Sequence, residues 1–402
     1  MINATAKTYR NAYAGLSGET WLLSLIMLIN RSGTMVIPFM TLYLTSEEMG
    51  YTIGQAGFVF GLFGAGAFSG AWLGGRLTDK IGFYKVQLMT LIGGGLLFFV
   101  LGQMKSYPLI CIFTFLLSFV NEAFRPANST AIAFYSKEEN RTRSYALNRL
   151  AINLGWAVGS GLGGFLAHIN YELLFWVDGT TNIVAAIVMW LFLKPVNYKP
   201  SLQKDLTAPP ARSAYDDKTY LLFIVITMLF AACFFQLFTN LPVYFKKDLH
   251  FSEPFIGFLM AGNGIVIALV EMVLIYKLEG KRKSMVYISA GVFIVGLSFL
   301  LLNISGAAVA IACTMIFMVT FGEILSLPFM NSYWIARTQA SNRGQYAALY
   351  TMAWSAAQTL GPLGGAQLAQ YSGFNTLWWI VGGLSIATAF LFWRLHAKPI
   401  SN

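Results

Sequence analysis

The sequence predicts an all-α membrane protein with twelve transmembrane helices in two pseudo-symmetric six-helix bundles and with both termini in the cytoplasm. Hydrophobic residues make up 56% of its 402 residues and charged residues only 11%, whereas an ordinary soluble domain has roughly 25% charged residues. The apolar residues form runs long enough to cross a bilayer, which takes about 20 residues, and the second half of the chain repeats features of the first. This composition excludes a soluble globular, a disordered or a disulfide-stapled secreted protein.

Twelve apolar segments follow one another along the chain, separated by short polar or charged stretches. A segment longer than the hydrocarbon core tilts, bends or projects beyond it, so we expect the longer ones to do so. The predicted spans are 20–45, 52–75, 86–104, 107–134, 144–168, 173–193, 219–245, 252–277, 285–303, 306–336, 343–369 and 374–396.

The distribution of basic residues predicts the orientation. With a cytoplasmic N-terminus, 21 of the 27 Lys and Arg residues fall on the inside and 3 on the outside, which is the bias that cytoplasmic loops of membrane proteins carry. The remaining three, Arg31, Arg125 and Arg149, lie within spans. The formal charge of +10 therefore reflects membrane orientation, so we expect no nucleic-acid partner and a location in a bacterial-type inner (cytoplasmic) membrane.

The two halves of the chain resemble each other. We predict an N-terminal six-helix bundle over 1–193, a cytosolic linker over 194–218, which is the largest polar stretch, and a C-terminal six-helix bundle over 219–402. Two parallel repeats of this kind place a substrate site between them near the middle of the bilayer. The features that recur 201 residues later are Glu122 and Glu323, Tyr145 and Tyr346, and Gly163 and Gly364.

The loop after the second span, residues 75–85, reads GRLTDKIGFYK. It resembles the GxxxD(R/K)xGR(R/K) signature of the major facilitator superfamily, and that resemblance implies the major facilitator fold and a latching role for Asp79 on the cytoplasmic side. Glycines permit the tight turn and the close helix approach that such a loop needs. A further acid, Glu271, lies near the cytosolic end of the eighth span, and we predict that it is a cytosolic gate residue or lies at the interface between the halves. The predicted gate and latch residues are Gly75, Asp79, Lys80, Gly82 and Glu271.

Two glycine motifs occupy the fifth and eleventh spans. The first resembles the GxxxGPxxGG motif of the superfamily's proton-driven antiporters, with Ser160 in place of proline, and the second keeps a proline at Pro362. Glycines three or four residues apart let helices touch backbone to backbone, so a role in packing alone is the alternative. The predicted helix-packing residues are Gly155, Gly159, Gly163, Gly164, Gly361, Pro362, Gly364 and Gly365.

Two groups within the superfamily compete. The first span, from Arg31 through Pro38 to Leu44, resembles that of small drug and dipeptide exporters. Other segments resemble proton-coupled oligopeptide transporters, namely the INLG sequence that ends at Gly155, the Arg125-Pro126 pair, and the segment around Glu323. The ExxER motif of peptide carriers is absent from the first span.

Ionisable groups inside the spans are the candidates for mechanism, because a charge at mid-bilayer costs about 2.5–3.5 kcal/mol on insertion scales and so faces a partner or a watery cavity. A proton-coupled carrier needs a carboxylate that gains and loses a proton, and burial and a neighbouring arginine act on its proton affinity in opposite directions. We predict proton coupling at Glu122, paired with Arg125 or Arg31, and secondarily at Glu323. The alternatives are a permanent ion pair for Glu122–Arg125, and pairing with Glu122 or snorkelling, rather than substrate binding, for Arg31.

Polar and aromatic side chains on the same spans are candidates for lining a pocket, since amides bind carbonyls and amines and Trp stacks on rings or cations. Asn128 is one such amide. The predicted substrate-binding residues are Arg31, Arg125, Asn30, Arg149, Asn153, Trp156, Gln236, Asn263, Asn331, Trp354 and Gln358.

The sequence contains no HExxH, GxSxG or phosphate-loop motif, so we predict no catalytic residue, no metal, no cofactor and no enzyme activity. The resemblance implies a secondary active transporter that moves a small organic solute by alternating access, coupled to protons, and most simply an exporter of a drug, an amphiphile or a small peptide-like solute. The alternatives are a proton-coupled importer of dipeptides or amino-acid-like zwitterions, and a non-transporting membrane receptor or scaffold. The expected partners are the small-molecule substrate, protons and membrane lipid, and we expect a monomer.

Overall fold

The structure is a computed structural model that describes residues 15–137, 141–196, 213–278, 281–337 and 343–396. Within these residues every regular element is a helix. Most of the predicted linker, 197–212, lies outside the described residues, and so does the side chain of Asp79. The all-helical prediction is therefore confirmed for the described part of the chain.

We number the α-helices in chain order. The first eight are α1 Gly18–Ser32, α2 Val36–Leu44, α3 Ile53–Ile81, α4 Phe83–Gly102, α5 Tyr107–Glu122, α6 Phe124–Tyr135, α7 Arg141–Ile169 and α8 Glu172–Phe192. The others are α9 Lys218–Phe234, α10 Asn240–Lys247, α11 Glu253–Leu278, α12 Ser284–Leu301, α13 Ala308–Ala336 and α14 Arg343–His396, with a 3₁₀ turn at Phe235–Phe238 before α10.

The described helices include eleven continuous or nearly continuous stretches that are long and apolar enough to cross a membrane. Their limits lie close to those predicted from the sequence, except at the C-terminal end. There the predicted spans 343–369 and 374–396 form one 54-residue element, α14, which is interrupted at Gly373 with φ 80° and ψ 164°. Only glycine adopts such a conformation without strain, so Gly373 is where α14 changes direction.

Three of the predicted spans are broken in the middle. The first breaks between α1 and α2, the fourth at Ala123 between α5 and α6, and the seventh at the 3₁₀ turn before α10. In each case the second half-helix carries a proline as its third residue: Pro38, Pro126 and Pro242. Proline has no N–H to donate and fits a helix best in its first turn, where that N–H would have no partner in the helix, so each of these three prolines suits the start of a new helix.

The chain forms two compact units. Unit 1 comprises Met1–Ile37 and Gly66–Pro200, and unit 2 comprises Pro38–Ala65 and Ser201–Asn402. Residues 38–65 thus group with the C-terminal half of the chain, although they precede the predicted linker. The predicted division at 193 and 219 stays a prediction.

Each unit has its own apolar core. In unit 1, α8 packs on α4 and α1, and α7 packs on α1, around buried residues such as Leu23, Phe83 and Met189. In unit 2, α12 packs on α13 and α14, and α9 packs on α14. There the fully buried ring of Trp378 stacks on Phe299 with centroids 5.7 Å apart. These cores hold the broken spans and the polar groups beside their breaks.

Candidate functional site

The break in the fourth span carries an ion pair. Glu122 is the last residue of α5 and Arg125 the second of α6, and Arg125 Nη2 lies 2.7 Å from Glu122 Oε2. The side chain of Glu122 is only 10% exposed, whereas that of Arg125 is 64% exposed. The predicted pair therefore joins a buried carboxylate to a guanidinium that reaches accessible space.

A second guanidinium acts on this pair. Arg31, in the last turn of α1, interacts electrostatically with both Glu122 and Arg125. Its Nε is buried and has no hydrogen-bond partner among the described residues. Unit 1 thus brings together the three mid-span charges that the sequence singled out, two positive and one negative, with donor capacity left over on Arg31.

The position of Arg31 depends on the glycines of α7. A Cβ placed on Gly155 would lie 2.6 Å from Cβ of Arg31 and 3.0 Å from the carbonyl oxygen of Leu28. A Cβ on Gly159 would lie 3.0 Å from the carbonyl oxygen of Ser32. Because such approaches are closer than van der Waals contact allows, α7 can come this close to α1 at positions 155 and 159 only because it has no side chain there.

The sequence reasoning missed an acid in the sixth span. Asp178 on α8 is 0% exposed, and its carboxylate accepts the backbone N–H groups of Met35 (3.0 and 3.1 Å) and Val36 (2.9 Å). These N–H groups lead into α2, so Asp178 caps the second half of the first span from another helix. A lone aspartate inside an otherwise apolar segment was the signal that could have identified it.

Amides surround these groups in unit 1. Asn30 donates to Asn182 at 2.9 Å, and Asn182 donates to the backbone carbonyl of Asp178 at 2.8 Å. A second chain of buried amides, in which each bond is 3.2 Å long, contains the predicted Asn128 and two amides that the sequence did not single out, Gln87 and Asn148. Buried amides require such partners, so these chains order α1, α4, α6, α7 and α8 around the charges.

The second predicted carboxylate, Glu323, lies on α13 in unit 2. Asn263 of α11 donates to Glu323 Oε2 at 3.4 Å and to the hydroxyl of Thr320 at 2.9 Å. One amide, that of Asn263, thus donates both to the Glu323 carboxylate and to the Thr320 hydroxyl. Two residues predicted from the sequence, Asn263 and Glu323, therefore form a hydrogen bond with each other.

The break in the seventh span is held by an amide network. Gln236 Nε2 donates to the carbonyl oxygens of Ala232 (3.0 Å) and Gly361 (2.8 Å), and Asn240 donates to Gln236 Oε1 at 2.6 Å. Both amide side chains are buried. The glycine motif of α14 therefore lies against the 3₁₀ turn, and the predicted Gln236 bonds to the protein itself.

Aromatic side chains cluster beside this break. Trp354 of α14 packs edge-on against Phe234 and Phe235, with centroids 6.1 and 6.0 Å apart, and its other neighbour is Tyr350 at 6.2 Å. The indole N–H of Trp354 is buried and unpartnered among the described residues. In the part of the chain that the structure describes, unit 2 thus contains a cluster of aromatic side chains with one unpartnered hydrogen-bond donor, the indole N–H of Trp354.

The other predicted residues are scattered. Asn331 accepts from Trp334 at 3.3 Å, Gly82 adopts φ 86° in the turn between α3 and α4, Lys80 is exposed and Glu271 is buried. A Cβ placed on Gly75 would meet nothing within 4 Å outside its own helix, and the same holds for Gly364. The half-buried candidates are Arg149, Asn153, Trp156 and Gln358, and the buried members of the glycine motifs are Gly163, Gly164, Gly361, Pro362 and Gly365.

Residues 20–357 match the sequence profile of the Major Facilitator Superfamily. The chain belongs to this superfamily. It is therefore a membrane transporter and an integral protein of the inner membrane, as the sequence predicted, and the superfamily consists of transporters rather than enzymes. In the part of the chain that the structure describes, no three His, Cys, Asp or Glu side chains come together as metal ligands.

Several characterised members of the superfamily are similar to this chain. The Na(+), Li(+), K(+)/H(+) antiporter of Planococcus maritimus is 23% identical, over 92% of this chain and 93% of its own length. The quinolone resistance protein NorA of Staphylococcus aureus is 20% identical, over 59% of this chain and 61% of its own length. The relatives thus include an ion antiporter and a resistance protein.

Solved structures share the fold. A POT family transporter in complex with a thioalcohol-conjugated peptide superposes with a TM-score of 0.83, over 97% of this chain and 98% of its own, at 14% identity. The nucleoside transporter NupG superposes with a TM-score of 0.75, over 95% of this chain and 100% of its own, at 15% identity. At this level of identity the likeness concerns the fold alone.

Proposed function

We propose that this superfamily member is a proton-driven exporter of small amphiphilic organic solutes, which works by alternating access. The observation that carries the proposal is the ion pair of buried Glu122 with exposed Arg125, in electrostatic range of Arg31. We further propose twelve spans, with α14 counted as two helices that meet at Gly373. An even number of spans and the inside excess of basic residues support a cytoplasmic position for both termini.

The proposed coupling follows from the unequal exposure of the pair. Arg125 reaches accessible space, so a solute or a conformational change can draw its guanidinium away from Glu122. A buried carboxylate that loses its partner is strongly destabilised as an anion, and it then takes up a proton. When Arg125 returns, the proton is released. Glu122 thereby exchanges one proton for each separation and reunion of the pair.

The solute class rests on the two kinds of surface. Unit 1 offers guanidinium and carboxylate groups, and unit 2 offers the aromatic rings around Trp354 with an unpartnered indole N–H. Charged groups of this kind bind the polar or charged part of an amphiphile, and aromatic rings of this kind bind its ring system. The names of two relatives, a quinolone resistance protein and a cation/proton antiporter, support export and proton exchange.

A second candidate function is proton-coupled dipeptide uptake. Arg31 and Arg125 together with Glu122 provide complementary charges for both ends of a zwitterion. The solved POT family structures support the fold that such a carrier needs and nothing finer. A non-transporting receptor is the least supported function, because it does not explain a partly exposed ion pair of Glu122 and Arg125 within a span.

Transport in proteoliposomes under an imposed pH gradient separates these functions. An antiporter accumulates solute when the lumen is acidic, whereas a symporter does so when the exterior is acidic. We expect ethidium, a permanent cation, to accumulate in vesicles with an acidic lumen, and dialanine to accumulate in neither arrangement. Protein-free vesicles provide the background. A gradient equivalent to 100 mV supplies about 2.3 kcal/mol per charge, enough for a concentration ratio on the order of 50.

The Glu122→Gln variant tests the role proposed for the Glu122–Arg125 ion pair. We expect it to lose gradient-driven accumulation while solute exchange across the membrane remains measurable. The control is Glu172→Gln, which removes a carboxylate that pairs with Lys105 at 2.7 Å at an exposed site, and it should keep the wild-type accumulation. Full accumulation by Glu122→Gln would overturn the assignment of the proton to Glu122, and dialanine uptake from an acidic exterior would overturn the choice of export.

A further inference from the structure

The carboxylate of Asp178 is held in an unusual way for a charge inside a membrane helix. It is 0% exposed, and its hydrogen bonds go to the N–H groups of Met35 and Val36 at the start of α2. Among the described residues it has no ion-pair partner. Backbone N–H groups at a helix start carry partial positive charge. Among the described residues, the Asp178 carboxylate is therefore stabilised by the N–H groups at the start of α2.

Among the described residues, the elements packed on α8 bring no cation into contact with Asp178. α4 carries its titratable residues, Tyr84 and Lys85, at its first turn. The described titratable side chains of α7 are Tyr145, Arg149 and His168, those of Arg141 and Arg143 lie outside the described residues, and α1 carries Glu19 at its start. Arg31, the penultimate residue of α1, is the nearest charge in sequence to Met35, and Glu122 and Arg125 act on it electrostatically. None of these described side chains is therefore placed to replace the N–H groups of α2 if those groups withdraw.

The start of α2 is also where the chain changes unit. Residues up to Ile37 belong to unit 1, and Pro38–Ala65 belong to unit 2. Within unit 2 this segment is fastened to α14: Gly54 donates its N–H to Gln370 Oε1 at 2.6 Å and accepts from Gln367 Nε2 at 3.2 Å. The cap formed by Asp178 thus lies within two residues of the point where the chain passes from one unit to the other.

We propose that Asp178 is a second proton-binding site, in which uptake of a proton is linked to release of the start of α2. This inference rests on the proposed proton coupling, and it adds a site that acts on the break in the first span. The anion fits the two N–H donors, whereas a protonated acid presents its own O–H donor to them and fits poorly. Displacing α2 leaves the anion buried without donors, a state that a proton relieves.

The linkage runs in both directions. If protonation of Asp178 raises the equilibrium constant for release of α2 by some factor, release of α2 raises the proton affinity of Asp178 by the same factor. The step adds one proton to one carboxylate oxygen and removes one negative charge, and it needs no other reactant. Gly33 lets the break lie close to α8, because a Cβ there would overlap the hydroxyl of Thr181 and lie 3.3 Å from Cα of Asp178.

Hydrogen–deuterium exchange of the Met35 and Val36 amides measures the cap directly. We expect their protection factors, corrected for intrinsic exchange, to fall at least about tenfold when the purified wild-type protein is moved from pH 8 to pH 5. In Asp178→Asn, which resembles the protonated acid, they should be low at both pH values. The control Thr181→Val keeps the charge and the shape of the side chain against Gly33, and it should behave like the wild type. Protection that is unchanged with pH in the wild type overturns the inference, and this readout holds even if Asp178→Asn folds poorly.

Transport assays on the same proteins separate this inference from the proposed function. We expect Asp178→Asn to lose the pH dependence of ethidium accumulation while exchange persists. If Asp178→Asn keeps that dependence and Glu122→Gln loses it, the second site is wrong and the proposed function stands. If the wild type shows no gradient-driven transport of any probe, the proposed function fails, and the exchange experiment still decides whether Asp178 holds α2 through its charge.

Discussion

Arg337 and Asp217 form a bidentate ion pair in unit 2, in which Nε lies 3.0 Å from Oδ2 and Nη2 lies 2.9 Å from Oδ1. Their side chains are only 6% and 12% exposed. Asp217 also caps α9 by accepting the N–H of Tyr220 at 3.0 Å, and it accepts the hydroxyl of Tyr346 at 3.1 Å. One carboxylate therefore ties together the start of α9, the end of α13 and the first turns of α14.

Removing one partner of this pair should be costly. A buried pair that loses one member leaves an uncompensated charge, which typically costs about 3–5 kcal/mol. We therefore expect Arg337→Met to lower the midpoint of unfolding strongly, and Arg337→Lys to recover only part of the loss because lysine cannot form the two-pronged contact. Thermal unfolding in detergent checks this.

The exposed pair of Lys105 and Glu172 supplies the matched control. Its two atoms are as close, 2.7 Å, but its side chains are 49% and 38% exposed, and exposed pairs contribute only about 0–1 kcal/mol. Lys105→Met should thus shift the unfolding midpoint little. Equal shifts for Arg337→Met and Lys105→Met would contradict a special structural role for the Asp217 pair.

The same pair predicts how stability changes with pH. Burial alone would raise the pKa of the Asp217 carboxyl, but the N–H of Tyr220 and the guanidinium of Arg337 lower its pKa overall. A carboxyl whose folded pKa lies below its unfolded value, about 3.9, contributes stability that is present above the unfolded value and is lost as the pH falls toward the folded one. We expect the stability difference between wild type and Asp217→Asn to be largest near neutral pH and to shrink below about pH 4. Chemical unfolding at several pH values checks this, and a difference that stays constant into that acid range would refute the sign.

The spans and the charged pair could be predicted because each leaves a local signature. Hydropathy marks the limits of a membrane helix, and in a helical segment a spacing of three residues predicts that Glu122 and Arg125 lie side by side. The breaks leave a weaker signature, since apolar residues continue through them. Only Pro38, Pro126 and Pro242, each in the first turn of a half-helix, indicate where the backbone stops and restarts, and a proline within an apolar segment is also compatible with a simple kink.

The partners of the buried polar groups could not be predicted. Asp178 bonds to backbone N–H groups 142 and 143 residues away in sequence, and such groups have no side-chain identity to recognise. Glu323 and Asn263 are 60 residues apart, so their meeting depends on how α11 packs on α13. Sequence patterns name the polar residues of a span, whereas tertiary packing decides which of them face each other.

The two adjacent glycines of α14 should respond differently to the same substitution. A Cβ on Gly365 would overlap Gln236 Oε1 and lie 2.8 Å from Asn240 Nδ2, whereas a Cβ on Gly364 meets nothing outside its own helix within 4 Å. Gln236 cannot move aside without losing its bonds to Ala232, Gly361 and Asn240. We expect Gly365→Ala to lower the unfolding midpoint clearly and Gly364→Ala to leave it unchanged or slightly higher, because alanine favours the helix. Equal unfolding midpoints for the two variants would contradict this prediction, because they would show that the Gln236 hydrogen bonds rearrange without loss of stability.

The glycines of α7 should matter for transport through Arg31. A side chain at position 155 must push α1 away at Leu28 and Arg31, and a displaced Arg31 no longer acts on Glu122 and Arg125 as it does in the native packing. We expect Gly155→Val to reduce gradient-driven ethidium accumulation at least about tenfold, since misplacing a positioned charged group by about an ångström has effects of that order or larger. The control Val158→Ile adds a methylene at an exposed position of the same helix. It should transport like the wild type, and the amount of folded Gly155→Val protein, measured by size-exclusion chromatography, separates lost function from lost folding. Normal transport by folded Gly155→Val would mean that Arg31 does not depend on the close approach of α7, and that the guanidinium acts from a position which the backbone does not fix.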